Sequence, residues 1–159
     1  MKPIVLIAGV AVLTGLTFVI SDRLVARSGV PLQPQTVDTG SGKILYAENC
    51  ASCHGVRLEG QEDWRKAGAE GVYPAPPHDE TGHTWHHGDG LLFTYTKYGG
   101  KATFVARGLK NVKSGMPGFG QVLSDQEIWD ILAFIKSTWS ERIRELQAAR
   151  TKAEQSISP

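Results

Sequence analysis

The chain has 159 residues, with 17 Lys and Arg against 16 Asp and Glu, a formal net charge of +1. That balance excludes the basic footprint of a nucleic-acid binder, and only 2 cysteines exclude a disulfide framework. Once an apolar N-terminus and its linker are set aside, about 120 residues remain, enough for one compact domain and too few for two.

Ile4 to Ile20 holds no charged residue and follows Lys2. The run is at the short end of the about 17–25 residues that span a bilayer. A cleaved signal has a shorter apolar core and a small-x-small cleavage site. Here the run meets Ser21-Asp22-Arg23 without such a site. A retained transmembrane anchor over residues 1–24 is therefore favoured over a cleaved signal. Lys2 on one flank faces Arg23 and Arg27 on the other, so flanking charge orients the segment poorly. Residues 25–40 carry Gly29, Pro31, Pro34 and Gly40 among scattered polar residues, which reads as a flexible linker.

Ser41 is placed to cap a short helix running into Cys50. Gly42 and Tyr46 share one face of it. Cys50-Ala51-Ser52-Cys53-His54 then forms C-x-x-C-H, the attachment signature of a c-type haem. Each thiol can add to one haem vinyl group, and His54 is then held under the iron, where it can supply an axial nitrogen. A zinc site would need four ligands, and the chain has no further cysteine. A redox dithiol would want an α/β setting, and none is visible.

Residues 56–86 are punctuated by Gly60, Gly68, Gly71, Pro74, Pro76, Pro77 and Gly82, and predict mostly loop with a helical turn near Asp63–Lys66. His78, His83, His86 and His87 crowd together with Asp79 and Glu80, a density that could bind copper or zinc. The competing reading is a loop packed near the haem, partly buried through Trp85. Leu91, Leu92, Tyr95 and Tyr98 predict a helix that Gly99-Gly100 stops.

Residues 100–122 read as loop. Within them Met116 stands in Gly115-Met116-Pro117-Gly118-Phe119-Gly120. Met1 precedes the apolar run, so Met116 is the candidate sulfur ligand, in a loop suited to pressing against a flat ring. From Gly90 to Ser124 there is no Asp or Glu, while Lys97, Lys101, Arg107, Lys110 and Lys113 fall in the same span. Such an asymmetry can steer an acidic redox partner; the alternative is a solvated surface balancing the acid-rich stretch Glu59 to Glu80.

Ser124-Asp125-Gln126-Glu127 is a capping box. The helix it opens buries Ile128, Ile131, Leu132, Ile135 and Trp139 on one stripe. Ile143, Leu146 and Ala149 extend the stripe into a helical or frayed tail over residues 141–159, whose last ten residues are polar.

C-x-x-C-H, the Gly-Met-Pro loop and Ser-Asp-Gln-Glu-Ile-Trp-Asp-Ile-Leu-Ala-Phe-Ile-Lys together resemble the class I c-type cytochromes from about Gly42 to Trp139. The resemblance implies an all-α cytochrome c fold over residues 41–140, with short helices around one covalently bound haem, preceded here by one N-terminal transmembrane helix. It implies Cys50 and Cys53 as attachment points, and His54 and Met116 as iron ligands. It implies that the Pro76 carbonyl accepts the His54 ring N–H, fixing its tautomer. Gly42 and Tyr46 would meet Ile131 and Phe134 where the first and last helices cross. One departure is that the family often has leucine where His78 stands.

The resemblance also implies haem attachment outside the cytoplasmic membrane. The chain would then be a single-pass inner-membrane protein, held by residues 4–20, with its haem domain on the periplasmic side. No arrangement of catalytic acid, base or nucleophile stands out. The expectation is a single-electron carrier for respiratory or periplasmic redox partners, not an enzyme. The alternatives are an electron-entry subunit of a larger oxidase or copper-containing reductase, and a haem sensor or metal-handling protein using the histidine loop.

Overall fold

The computed structural model describes residues 29–109 and 111–157. Residues 4–20 and Lys110 lie outside them. Among the described residues all regular structure is helical: α1 (Thr39–Asn49), α2 (Ala51–His54), a 3-10 turn (Thr84–His86), α3 (Asp89–Tyr98), α4 (Gly100–Ala106), α5 (Asp125–Ser137) and α6 (Glu141–Ile157). No helix among these residues is long and apolar enough to cross a membrane.

Helices α1 and α5 cross and form the main helix pair. The crossing is close because Gly42 presents no side chain: a Cβ there would collide with the carbonyl oxygen of Asp130. One turn on, the Tyr46 ring is fully buried and packs on Phe134 at 5.6 Å between centroids. Ile128, Ile131, Leu132, Ile135 and Trp139 are all buried, as the stripe predicts. Each such side chain contributes about 1.5–3 kcal/mol of apolar burial. Phe93 of α3 stacks on Trp129 at 4.5 Å and joins α3 to this core.

Helix α1 begins two residues before the expected Ser41 cap. Asp38 is the N-cap, its carboxylate accepting from the backbone N–H groups of Gly40 and Ser41. Asp and Ser cap comparably well, and Asp38 is fixed in place because its own N–H donates to Asp130 Oδ1 at 2.9 Å. Residues ahead of it, within the segment read as linker, also touch the domain: Gln126 donates to the Thr36 carbonyl and Lys136 to the Gln33 side chain.

Two further elements differ from expectation. Gly99-Gly100 ends α3, yet α4 starts at once where loop was expected. Gly99 turns the chain with φ +82°, and Thr103 Oγ1 donates back to the Gly99 carbonyl at 2.9 Å. In α6 the buried residue is Gln147, 3% exposed, whereas Leu146 faces solvent. The inward stripe is Ile143, Gln147, Thr151 and Glu154, a mostly polar face. It meets polar groups at the start of α3: Gln147 Nε2 donates to Asp89 Oδ1 at 2.8 Å, and Gly90 N–H donates to Glu154. Asp89 is also paired with Lys136 at 3.0 Å. The C-terminal residues expected to fray are helical to Ile157.

Candidate functional site

Cys50 is the hinge between α1 and α2, and its N–H donates to the Tyr46 carbonyl. The turn of α2 sets Cys53 and His54 one helical step away. Cys50 is partly buried and Cys53 exposed, and the two thiols are not bonded to each other. Burial, with Cys53 second, pushes the Cys50 thiol up to about 11, so it is neutral at ordinary pH. Gly55 ends α2 with φ +80°, and its carbonyl accepts from the Tyr46 hydroxyl at 3.0 Å.

His54 is 7% exposed. Its Nδ1 lies 2.8 Å from the Pro76 carbonyl oxygen. A carbonyl accepts only, so Nδ1 carries the proton and Nε2 is left with its lone pair. Burial holds the ring below the ordinary histidine range, opposed by that hydrogen bond, and so favours the neutral form able to bind a metal.

The Pro76 carbonyl is itself held firmly. Gly60 and Gly82 both press on Pro77, and a Cβ at either would collide with its backbone. The next residue, His78, donates its N–H to the Leu58 carbonyl at 2.8 Å, and its carbonyl accepts from Trp139 Nε1 at 2.8 Å. In the place often taken by leucine, the His78 ring stacks on His54 at 4.0 Å between centroids and 21° between planes.

Met116 lies in a loop sewn onto the end of α3 and the start of α4. Gly100 N–H donates to the Met116 carbonyl at 3.1 Å, Phe119 N–H to Thr96 at 3.0 Å and Gly120 N–H to Lys97 at 2.9 Å. Gly99 and Gly118 meet backbone to backbone, which a side chain on either would prevent. Ser114 Oγ is 2.8 Å from the Tyr95 hydroxyl and accepts the Met116 N–H at 3.3 Å. Gly115 approaches Val72, so the Met116 loop closes against the segment that leads to Pro76. Beside Met116 an open groove of about 430 Å³ is walled by Tyr98, Ala102, Val105 and Pro117, with Lys101 at its side.

These features fit a haem. Two thiols stand at the correct spacing, one imidazole keeps a free Nε2, and one thioether sits in a loop that folds back toward the same chain segment. Thr84 and Ser114, which the sequence does not mark, support this arrangement, as do Trp139 and Tyr95, which it marks only as residues of helix stripes. Their roles depend on contacts between distant segments.

The four loop histidines do not converge. His78 lies against His54, His83 stacks on Trp64 at 5.3 Å and 8°, and His86 stacks on Trp85 at 3.7 Å. His87 meets His83 edge-on at 5.3 Å. Among the described residues no group of three or more His, Cys, Asp or Glu is placed to hold a metal ion. The cations of the acid-free span also separate. Lys97 pairs with Asp125 at 2.6 Å, Lys113 donates to the Glu70 carbonyl at 2.6 Å, Lys101 flanks the groove and Arg107 lies toward His87 and Glu154.

The cytochrome c family model matches residues 40–139, which holds the attachment motif, Pro76, Met116 and the α1–α5 crossing. The chain belongs to the cytochrome c family. Covalently bound haem c is therefore its cofactor, with Cys50 and Cys53 fitting the attachment motif. Two curated proteins are similar over this cytochrome c part. A thiosulfate dehydrogenase of Psychrobacter arcticus is 39% identical over 98 residues, covering 61% of this chain and 25% of that protein. A thiosulfate dehydrogenase of Stutzerimonas stutzeri is 34% identical over 107 residues, covering 66% of this chain and 29% of that protein. The chain thus spans less than a third of either relative's length. No solved structure matches it. The relatives correct one expectation, that the chain is no enzyme: both are named as a dehydrogenase. A haem held by a C-x-x-C-H motif serves inside enzymes as well as in free carriers, and the absence of a hydrolytic or acid–base constellation does not separate the two.

Proposed function

We propose that this cytochrome c-family chain is the electron-transfer module of a dehydrogenase system, with His54 Nε2 and Met116 Sδ as its iron ligands. The bound haem supplies a one-electron ferric/ferrous couple. The chain's residues do the rest. Cys50 and Cys53 tether the group, Pro76 fixes the His54 tautomer, and the sewn Met116 loop keeps a soft sulfur donor in place. His/Met ligation raises the reduction potential relative to two histidines. The observation that carries this reading is the 2.8 Å contact between His54 Nδ1 and the Pro76 carbonyl, which leaves Nε2 free. Met116→Ala should abolish the long-wavelength charge-transfer band of ferric iron–methionine bonding and lower the potential. Survival of that band in the variant would remove Met116 as ligand.

The names of the two relatives make thiosulfate the reductant to try first. Added thiosulfate should reduce the ferric holoprotein, alone or with a membrane fraction of its source. No reduction under either condition would leave electron transfer standing and exclude this donor. Lys101 beside the Met116 groove suits an acidic redox partner, while Lys97 is paired with Asp125 and Lys113 is bonded to the Glu70 carbonyl. Electron-transfer rates should then fall as salt is added, and salt-independent rates would count against that face. The apolar run at residues 4–20 supports a single-pass tether to the inner membrane with the haem domain on the periplasmic side. Release of the full-length protein by osmotic shock, without detergent, would refute the tether.

A further inference from the structure

We infer that His78 is a positioning residue for the iron ligand His54: its ring sets the plane in which the His54 imidazole lies. The inference rests on His54 as an iron ligand. The hydrogen bond from Nδ1 to Pro76 fixes one end of the His54 ring but leaves it free to swing about the N···O line. A second flat ring lying 4.0 Å away and nearly parallel, at 21°, removes that freedom. An aliphatic side chain at the same place would fill the volume but has no plane to match.

The His78 ring can act as a reference because it is held on several sides. Its Nδ1 lies 2.7 Å from Thr84 Oγ1, which in turn reaches the Pro77 carbonyl at 3.4 Å. The Tyr46 ring meets it edge-on at 6.2 Å and 74°. Its backbone is tied at both polar atoms, to Leu58 and to Trp139. Gly60 and Gly82 clamp the preceding Pro77. Each anchor comes from a different part of the chain: α1, the loop after α2, the 3-10 turn and the residues just after α5. Histidine at position 78 therefore joins the orientation of the ligand plane to the packed core.

The orientation of an axial imidazole plane is read directly in a low-spin ferric haem, from its EPR g values and its hyperfine-shifted haem-methyl proton resonances. The test compares holoprotein carrying His78→Leu, His78→Phe and Thr84→Val with the unaltered chain. His78→Leu should change the order or spread of the methyl resonances, broaden the g values and shift the midpoint potential. His78→Phe, which keeps a stacking ring, should stay close to the unaltered protein. Thr84→Val, which frees the His78 ring without removing it, should broaden the same signals. The inference is overturned if His78→Leu leaves the spectra and potential unchanged, or if His78→Phe departs as far as His78→Leu. If neither His78 variant holds haem, unchanged signals in Thr84→Val overturn it and broadened ones support it. The ligation reading is checked separately, by the iron–methionine band of the unaltered protein, so the two can fail independently.

Discussion

Gly42 and Asp130 meet backbone to backbone where α1 crosses α5, and a Cβ on Gly42 would collide with the Asp130 carbonyl. The colliding atoms are main chain, so no rotamer change can relieve them. Gly42→Ala must push the helices apart, disturbing the Tyr46–Phe134 contact and the Asp38 N–H bond to Asp130. The expected loss is about 1–3 kcal/mol of stability. Urea unfolding of the holoprotein should show a lower midpoint; an unchanged midpoint would mean that the crossing is looser than this geometry.

The Tyr95 hydroxyl supports the loop of Met116 through Ser114. In Tyr95→Phe, Ser114 loses one partner, at a cost of about 1 kcal/mol. The loop keeps its three backbone bonds, so Met116 should remain in place at equilibrium. It should yield faster to an external ligand. The rate of cyanide binding to the ferric protein should rise several-fold, with the iron–methionine band still present before cyanide is added. An unaltered rate would show that the backbone bonds and Ser114 hold the loop without the Tyr95 hydroxyl.

Much of this was legible because the signals are local. The C-x-x-C-H run, the Gly-Met-Pro loop and the Ser124–Glu127 capping box each lie within a few residues, and the stripe from Ile128 to Trp139 follows the helical period. Contacts between distant segments were not legible. Helix α4 was hidden because two glycines read as a stop, whereas Gly99 only turns the chain. The inward face of α6 was misread because periodicity favours apolar residues, and here Gln147 is buried to satisfy Asp89. The capping role of Asp38 depended on Asp130, 92 positions away.

The polar join between α6 and α3 leads to a sharper expectation. Lys136 and Asp89 pair at 3.0 Å with side chains only 17% and 12% exposed, and Gln147 shares Asp89 Oδ1. Lys136→Met leaves a largely buried carboxylate without its cation, at a cost of about 3 kcal/mol. Gln147→Leu removes a donor to Asp89 and to the His87 carbonyl but keeps the ion pair, at about 1 kcal/mol. Hydrogen exchange should show α6 amides opening in both variants, with global destabilisation large only in Lys136→Met. Equal effects would mean that α6 is held by apolar contacts such as Ile143 and not by this network.

His87 makes stability depend on pH. Burial first, then the neighbouring His83, His86, Arg107 and Arg150, lower its value from 6.5 to about 4. The folded protein therefore keeps the ring neutral in a range where the unfolded chain protonates it. Its contribution is present above pH 6.5 and is lost as pH falls toward 4, because the unfolded state then binds the extra proton. The full shift corresponds to about 3 kcal/mol, and solvent reaching the half-buried ring reduces this to about 1 kcal/mol. His87→Gln cannot titrate, so its urea midpoint should fall less than that of the unaltered protein between neutral pH and pH about 4. Parallel curves would assign the acid sensitivity to His54, His78 and His83, which burial also lowers. Haem attachment would then separate these, since the proposed bond from iron to His54 would remove that ring from the titration and leave the loop histidines to report.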